Sequence, residues 1–472
     1  MIDIVILNRN LRLHDNAALF YGSLRSNYKV IYLYDEKYWE ANGKSSRQLK
    51  FSTDCLDELN RDLEKLGSKV NIFEGSFDDL TKWIDLNFDD FFIHMNHCTD
   101  IDYFRRGYEK FKNHFEKKLR IYDDFGIQLN NFDRDSWSKN WNHIMNADLL
   151  GKPKSSNIDL GLNLTNFDAF KNKIKSKFSN LKNIQEGGTS HAIKLLESFL
   201  NDRCENYRVK MSSPSLSEDS CSRLSPHFTY GSISIRQVYQ RLNESLPTLN
   251  NKKDLYSFKK RLYWHCHFVQ KLHTEPELEF YSMHRMCDDL RPDYDDEIIE
   301  KWIEGETGFP FLDACMKFLS ENGWINFRMR AMIMSFASYN LWQPWQKTSP
   351  RLAELFTDYE PGIHISQVQM QSGVTGINLP RIYSISKQSM DQDPDAEWTK
   401  NLLPQLNNFD PKLIHNAELN NSYIPQIVDL KTSAKFARDQ VWGIRKSIEF
   451  KNEARKVYLK HGSRRRRYTK TS

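Results

Sequence analysis

The strongest constraint on the fold of this 472-residue chain is a change of hydrophobic period along it. Short apolar runs at 2–7, 29–34, 69–73, 90–95 and 120–122 have the length of strands, and helical stretches separate them. The clearest of these is 47–66, where Leu56, Leu59, Leu63 and Leu66 recur on one helix face. Strands alternating with helices imply a parallel sheet with right-handed crossovers. Residues 1–130 are therefore expected to form a doubly wound α/β domain. Residues 131–186 are polar and rich in Asn, Ser and Lys, and read as a connector wrapped on the surface. From Gly187 onward strand-like runs become scarce, so 187–462 is expected to be one large all-α domain, followed by a basic tail at 463–472.

Composition narrows the classes of function. With 39% hydrophobic and 27% charged residues the chain is globular, and its length suits two or three domains of roughly 100 to 200 residues each. It has no apolar run of about 18 residues. The first residues carry no basic stretch and cleavage site. Neither a membrane partner nor a signal peptide is expected, and the expected location is cytoplasmic. Seven scattered cysteines without CxxC spacing exclude both a disulfide framework and a metal centre of that type, so no metal is expected. A net charge of +5 is compatible with nucleic acid without requiring it. The arginines at 464–467 read more readily as a solvated end than as a nucleic-acid arm.

Three blocks carry chemistry. In CSRLSP at 221–226, short hydroxyls and backbone N–H groups before a helical segment suit a phosphate; a capped turn with a surface arginine is the simpler reading of the same residues. In GFPFLDACMKFLSENGWINFRMR at 308–330, Asp313 falls in the first turn of a helix that Gly323 ends. Trp324, Phe327 and Arg330 then follow at spacings that place them on one ridge of the next helix. Ordinary helix packing would use the same ridge. Past them, Asp358 and Glu360 form an acidic pair ahead of His364, a residue that would titrate near neutral pH if solvated and would merely pack if buried. The first strand lacks a GxGxxG sequel, so the sheet is not credited with NAD or FAD.

These blocks, together with NRNLRLHDNAAL at 8–19, resemble the motifs of the photolyase/cryptochrome family, in the same order and over nearly the whole chain. The resemblance implies FAD held in the helical domain by Tyr207, Cys221, Ser222, Arg223, Leu224, Ser225, Trp324, Phe327, Arg330, Asp358, Glu360 and His364. Cys221 stands where the family has a threonine, and His364 where many members have an asparagine facing the flavin. It also implies a second, antenna chromophore of unknown identity in the α/β domain.

By the same resemblance, Trp264 is the residue on which a pyrimidine dimer would stack. Arg261 stands where dimer-splitting members carry a glutamate, and Phe327 where they carry an asparagine. Asn326 replaces the first histidine of the (6-4) class, and Val368 the tryptophan nearest the flavin; Trp345 matches the middle tryptophan. Trp342, Tyr359 and Tyr383 are substitute electron carriers by sequence proximity alone. The implied activity is blue-light-driven splitting of cyclobutane pyrimidine dimers in DNA by electron transfer from reduced FAD, with Trp264, Arg261 and His364 as catalytic candidates. The alternative is a cryptochrome-like photoreceptor that acts on a signalling protein partner without repair.

Overall fold

The computed structural model describes residues 1–124, 126–130, 132–156, 164–246 and 252–462. Five parallel strands, β1 (Ile2–Leu7), β2 (Tyr28–Tyr34), β3 (Val70–Glu74), β4 (Phe91–Asn96) and β5 (Leu119–Tyr122), fall within a residue of the expected runs. A two-residue strand, β6 (Thr165–Asn166), pairs antiparallel with β3, and the sheet order is β5-β4-β1-β2-β3-β6. All six residues of β1 are buried, as expected of a parallel strand covered on both faces. One cover is α1 (Ser46–Glu64), which buries Leu56, Leu59 and Leu63. The other is built around Phe77, Leu80 and Phe111.

The segment 131–186 is more than a surface connector. Its first half contains α2 (Trp137–Met145), whose Trp137, Trp141 and Met145 lie in the core of the helical domain. Its second half contains α3 (Phe167–Ile174), whose Phe170 and Ile174 pack with the sheet. Each helix contributes three apolar residues at helical spacing, and the surrounding polar residues dilute that signal in the composition. The tail 463–472 lies outside the described residues.

The helical domain is built around a core that includes Trp302, Phe311, Leu319, Met332 and Phe336. Five of its helices matter below. They are α4 (Lys252–Thr274), α5 (Pro310–Asn322), α6 (Phe327–Ser335), α7 (Pro361–Gln371) and α8 (Leu430–Arg445), and the chain then forms α9 (Ile448–His461). No described helix is long and apolar enough to cross a membrane.

The 8–19 block forms the clasp between the domains. The Arg9 guanidinium donates to Glu360 at 2.8 Å, Arg12 donates to the Gly231 carbonyl at 3.0 Å and pairs with Asp124, and Asp15 accepts from Ser234 and Arg236. Gly231 has φ +68°, and a Cβ there would lie 2.1 Å from the Arg9 carbonyl oxygen. Only glycine lets the two backbones approach this closely.

Candidate functional site

A cavity of about 660 Å³ lies in the helical domain, and residues far apart in sequence converge on it. From α4 come Arg261, Trp264, Phe268 and Lys271, which follow one face of that helix at i, i+3, i+7 and i+10. Arg261 is exposed at the mouth, its Cζ 4.8 Å from the centroid of Phe327, which is itself 47% exposed. Trp264 stacks on Phe268 at 5.8 Å. Lys271 sits deeper, and burial lowers its ammonium to about 8, so it is partly neutral in mildly alkaline solution.

The 308–330 block reaches the cavity differently from the expectation. Asp313 is buried and accepts hydrogen bonds from the Thr307 and Gly308 backbones and from the Tyr423 hydroxyl, so it pins the turn before α5. Gly323 ends α5 in the left-handed region at φ +64°. Asn326 then caps α6 by accepting from the Met329 N–H at 2.9 Å. The helix begins at Phe327, and Trp324 therefore precedes it instead of sharing its ridge. Trp324 lines the cavity as the floor under Arg223, whose Cζ is 4.1 Å from its centroid.

Arg330 and Asp358 form a two-pronged ion pair at 3.0 and 2.9 Å, and Arg330 Nε also donates to the Ile325 carbonyl at 2.7 Å. Such a fork fixes both groups against rotation. The other member of the acidic pair, Glu360, faces the cavity, but its carboxylate is committed to Arg9 across the domain boundary.

The loop 221–225 places Cys221, Ser222, Arg223 and Ser225 on the cavity, whereas Leu224 is wholly buried in the helical core and does not reach it. The expected helix terminus behind this loop is only the five-residue turn Ser225–Thr229, too short for a dipole argument. What remains for an anion is Ser222, Ser225 and Arg223. The last has φ +58°, donates to Glu218 at 3.3 Å and Gln185 at 3.2 Å, and keeps a buried Nε that has no partner among the described residues. A buried donor left open on a cavity wall, a guanidinium–carboxylate fork and a tryptophan floor together fit a large anionic, aromatic cofactor such as FAD. Burial raises the Cys221 thiol to about 11, so it lines the wall as a neutral thiol.

His364 lines the cavity from α7, with Nε2 at 3.0 Å from the Ser349 carbonyl, the geometry of an N–H donor. Burial lowers it to about 4, which decides between the two sequence readings in favour of the buried one. His265 and His267, also on the wall, are held by burial at about 3 and about 2. These three imidazoles are thus uncharged at neutral pH. Tyr207, raised by burial to about 12, completes the predicted set.

Sequence reasoning missed Lys271, although its i+7 spacing from Trp264 was there to be read. It also missed Tyr458 and His461 of α9, which reach the cavity because Glu275 accepts from His461 at 2.5 Å and Lys460 at 2.8 Å. Nothing local in the sequence marks that return. Among the substitute electron carriers, Tyr359 is on the cavity wall, 5.2 Å from the His364 ring; Trp342 and Tyr383 are not on it. Trp345 is buried with Nε1 donating to Ser282 at 3.1 Å.

A second concavity of about 370 Å³ lies in the α/β domain. It is bounded by Leu7 at the end of β1 and Asn8 and Arg9 after it, by Met95 near the end of β4 and Cys98 beyond it, and by Tyr32 of β2. Because β1 sits between β2 and β4, this is the switch point of the sheet, where doubly wound folds bind ligands.

Comparison with known proteins matches residues 4–102 to the family described as DNA photolyase and residues 258–443 to the FAD binding domain of DNA photolyase. A deoxyribodipyrimidine photo-lyase of Alkalihalophilus pseudofirmus is 30% identical over 233 residues, which span 48% of this chain and 47% of that protein. Cryptochrome-2 of Gallus gallus is 24% identical over 86% of this chain and 75% of its own. The crystal structure of an archaeal photolyase from Sulfolobus tokodaii, which contains two FAD molecules, superposes with a TM-score of 0.79 at 23% identity, covering 94% of this chain and all of that one.

Proposed function

Because the chain belongs to the photolyase/cryptochrome family, we propose that it is a FAD-dependent, blue-light-driven photolyase-like enzyme that splits cyclobutane pyrimidine dimers in DNA. The observation that carries this reading is the single cavity on which Trp264 and Arg261 meet Arg223, Trp324, Arg330 and Asp358. Bound reduced FAD would supply a light-absorbing one-electron donor. The residues of the chain bind and orient. Arg223, Ser222 and Ser225 are suited to the cofactor's phosphates, and the Arg330–Asp358 fork provides a fixed cation and anion against its polar ring edge. Trp264 and Phe268 offer a stacking wall for the two linked pyrimidines of an extruded dimer.

Arg261 replaces a carboxyl group by a guanidinium, whose positive charge and N–H donors can stabilise negative charge on the dimer. His364, His265 and His267 remain neutral and add no positive charge to that of the arginines and Lys271 on the wall. The switch-point cavity of the α/β domain is the candidate site for an antenna chromophore.

A second reading, a cryptochrome-like photoreceptor without repair, is supported by the Arg261–Phe327 pair at the mouth, where dimer-splitting members carry Glu and Asn. The test is a photorepair assay with reduced, FAD-loaded protein and a dimer-containing oligonucleotide. Light-dependent loss of dimers is expected. Their persistence at saturating protein would reject repair and leave the photoreceptor reading.

A further inference from the structure

A separate groove of about 340 Å³ lies in the helical domain. Its sides are Pro380, Arg381 and Ile382 on one hand and Arg438 and Trp442 of α8 on the other, and Tyr339 forms its floor. The two concavities share a loop, since Ile377 and Asn378 border the cavity and the next residues but one border the groove. Arg381 and Arg438 are exposed, and Trp442 presents a ring that is 41% exposed.

Two more arginines lie against the groove from behind. Arg291 is buried and donates to the Ser338 carbonyl at 2.7 Å and the Ser372 carbonyl at 3.1 Å. Its Cζ stands 5.5 Å from the Tyr339 ring and 4.4 Å from the Trp342 ring. Arg445 donates to the Gly376 carbonyl at 3.3 Å, with its Cζ 5.7 Å from the Trp442 ring. Among the described residues none of the four arginines makes an ion pair with a carboxylate, although most other arginines of the chain do. Asp439, next to Arg438 on α8, is exposed, and among the described residues it forms no ion pair with any of the four. Burial brings Arg291 down to about 10, which still leaves it charged at neutral pH.

Carbonyl oxygens and aromatic faces solvate a guanidinium but do not neutralise it, and a buried cation without a counter-ion is costly. Four uncompensated cations around one groove produce a positive field that favours an anion there. The exposed indole at the rim adds a flat apolar surface of the kind on which nucleobases stack.

We propose that this groove is a nucleotide-unit site, taking a phosphate between Arg381 and Arg438 and a base on Trp442. The ligand would come either from the DNA strand whose neighbouring nucleotide occupies the large cavity or from a free mononucleotide. The strand source rests on the DNA reading above; the mononucleotide source does not.

The experiment compares the FAD-loaded wild-type chain with Arg438→Glu and Trp442→Ala, both on the exposed side of α8. Two probes are used: a labelled single-stranded oligonucleotide carrying one dimer, followed by anisotropy across a salt series, and deoxyadenosine monophosphate, followed by calorimetry. If the strand is the source, Arg438→Glu binds the oligonucleotide about tenfold or more weakly, and its log K against log salt slope falls by about one. If a mononucleotide is the source, deoxyadenosine monophosphate binds one-to-one to the wild type and both substitutions abolish it. Oligonucleotide affinity and slope unchanged in Arg438→Glu, together with no mononucleotide binding, overturn the groove. Wild-type photorepair run in parallel keeps the two claims apart, because the DNA reading survives a failed groove whenever dimers are still split.

Discussion

Removing Arg9 tests how the two domains are held together. Arg9, Lys44, Asp100 and Glu360 form one buried cluster with two cations and two anions. Arg9 reaches Glu360 at 2.8 Å and Asp100 at 3.5 Å, Lys44 reaches Asp100 at 3.1 Å, and the Tyr38 hydroxyl donates to Asp100 at 2.7 Å. Arg9→Met keeps the aliphatic stem but leaves two carboxylates sharing one cation. Lys44 and Tyr38 already satisfy Asp100, so Glu360 becomes the uncompensated charge. Breaking a buried pair in this way costs about 3–5 kcal/mol. The double variant Arg9→Met/Glu360→Met removes the orphan as well and should recover all but about 1–2 kcal/mol, because hydrophobic replacements of a complete pair are often nearly neutral.

The pH dependence supplies an independent sign. Burial raises the Glu360 carboxyl above its ordinary value even with Arg9 present, and losing Arg9 raises it further. A raised folded-state value means that the group's contribution to stability is complete below the unfolded value and is lost as pH rises through the folded one. The deficit of the single variant should therefore grow from pH 5 to pH 8, and that of the double should not. Urea unfolding of wild type, both single variants and the double, read as a double-mutant cycle at both pH values, measures this. A single variant as stable as wild type at pH 8, or a double no better than the single, would refute the argument.

Three further outcomes are expected. Arg330→Leu strands Asp358 and should release most of the FAD on gel filtration, measured by flavin-to-protein ratio; a ratio equal to wild type would contradict the role given to the fork. Trp264→Ala should weaken dimer-oligonucleotide binding by about 1–3 kcal/mol, the worth of one base–aromatic stack, while the flavin ratio stays constant; equal affinities would remove Trp264 from the substrate wall. Because burial holds His364 at about 4, its ring resonances should not titrate between pH 5.5 and 8. Its contribution to stability, complete above the unfolded value of about 6.5, should be lost as pH falls towards 4. A midpoint near neutrality would show that the ring is solvated.

Much of this organisation is legible in the residues. The strands follow from continuous apolar runs, since a parallel strand covered on both faces must be apolar along its length, as all of β1 is. The convergence of Tyr207, the 221–225 loop, Trp324, Arg330, Asp358 and Trp264 on one cavity follows from motif likeness. The errors have local causes. Trp324 precedes its helix because Asn326 is a good cap, a preference that outweighs the ridge spacing. The helices of 131–186 hid in a polar composition because three apolar residues suffice to bury one face.

Taken alone, then, the sequence determined which elements form and which side chains are chemically suited to a flavin-type pocket, because propensity, spacing and motif order are local properties. Only the tertiary structure decided which partner each charged group takes. Glu360 belongs to Arg9 as much as to the cavity, Lys271 and the end of α9 join the wall, His364 is neutral, and four arginines meet around a groove without an acid. Pairing and desolvation depend on distances through space between residues that may stand hundreds of positions apart, and no pattern along the chain encodes such a distance directly.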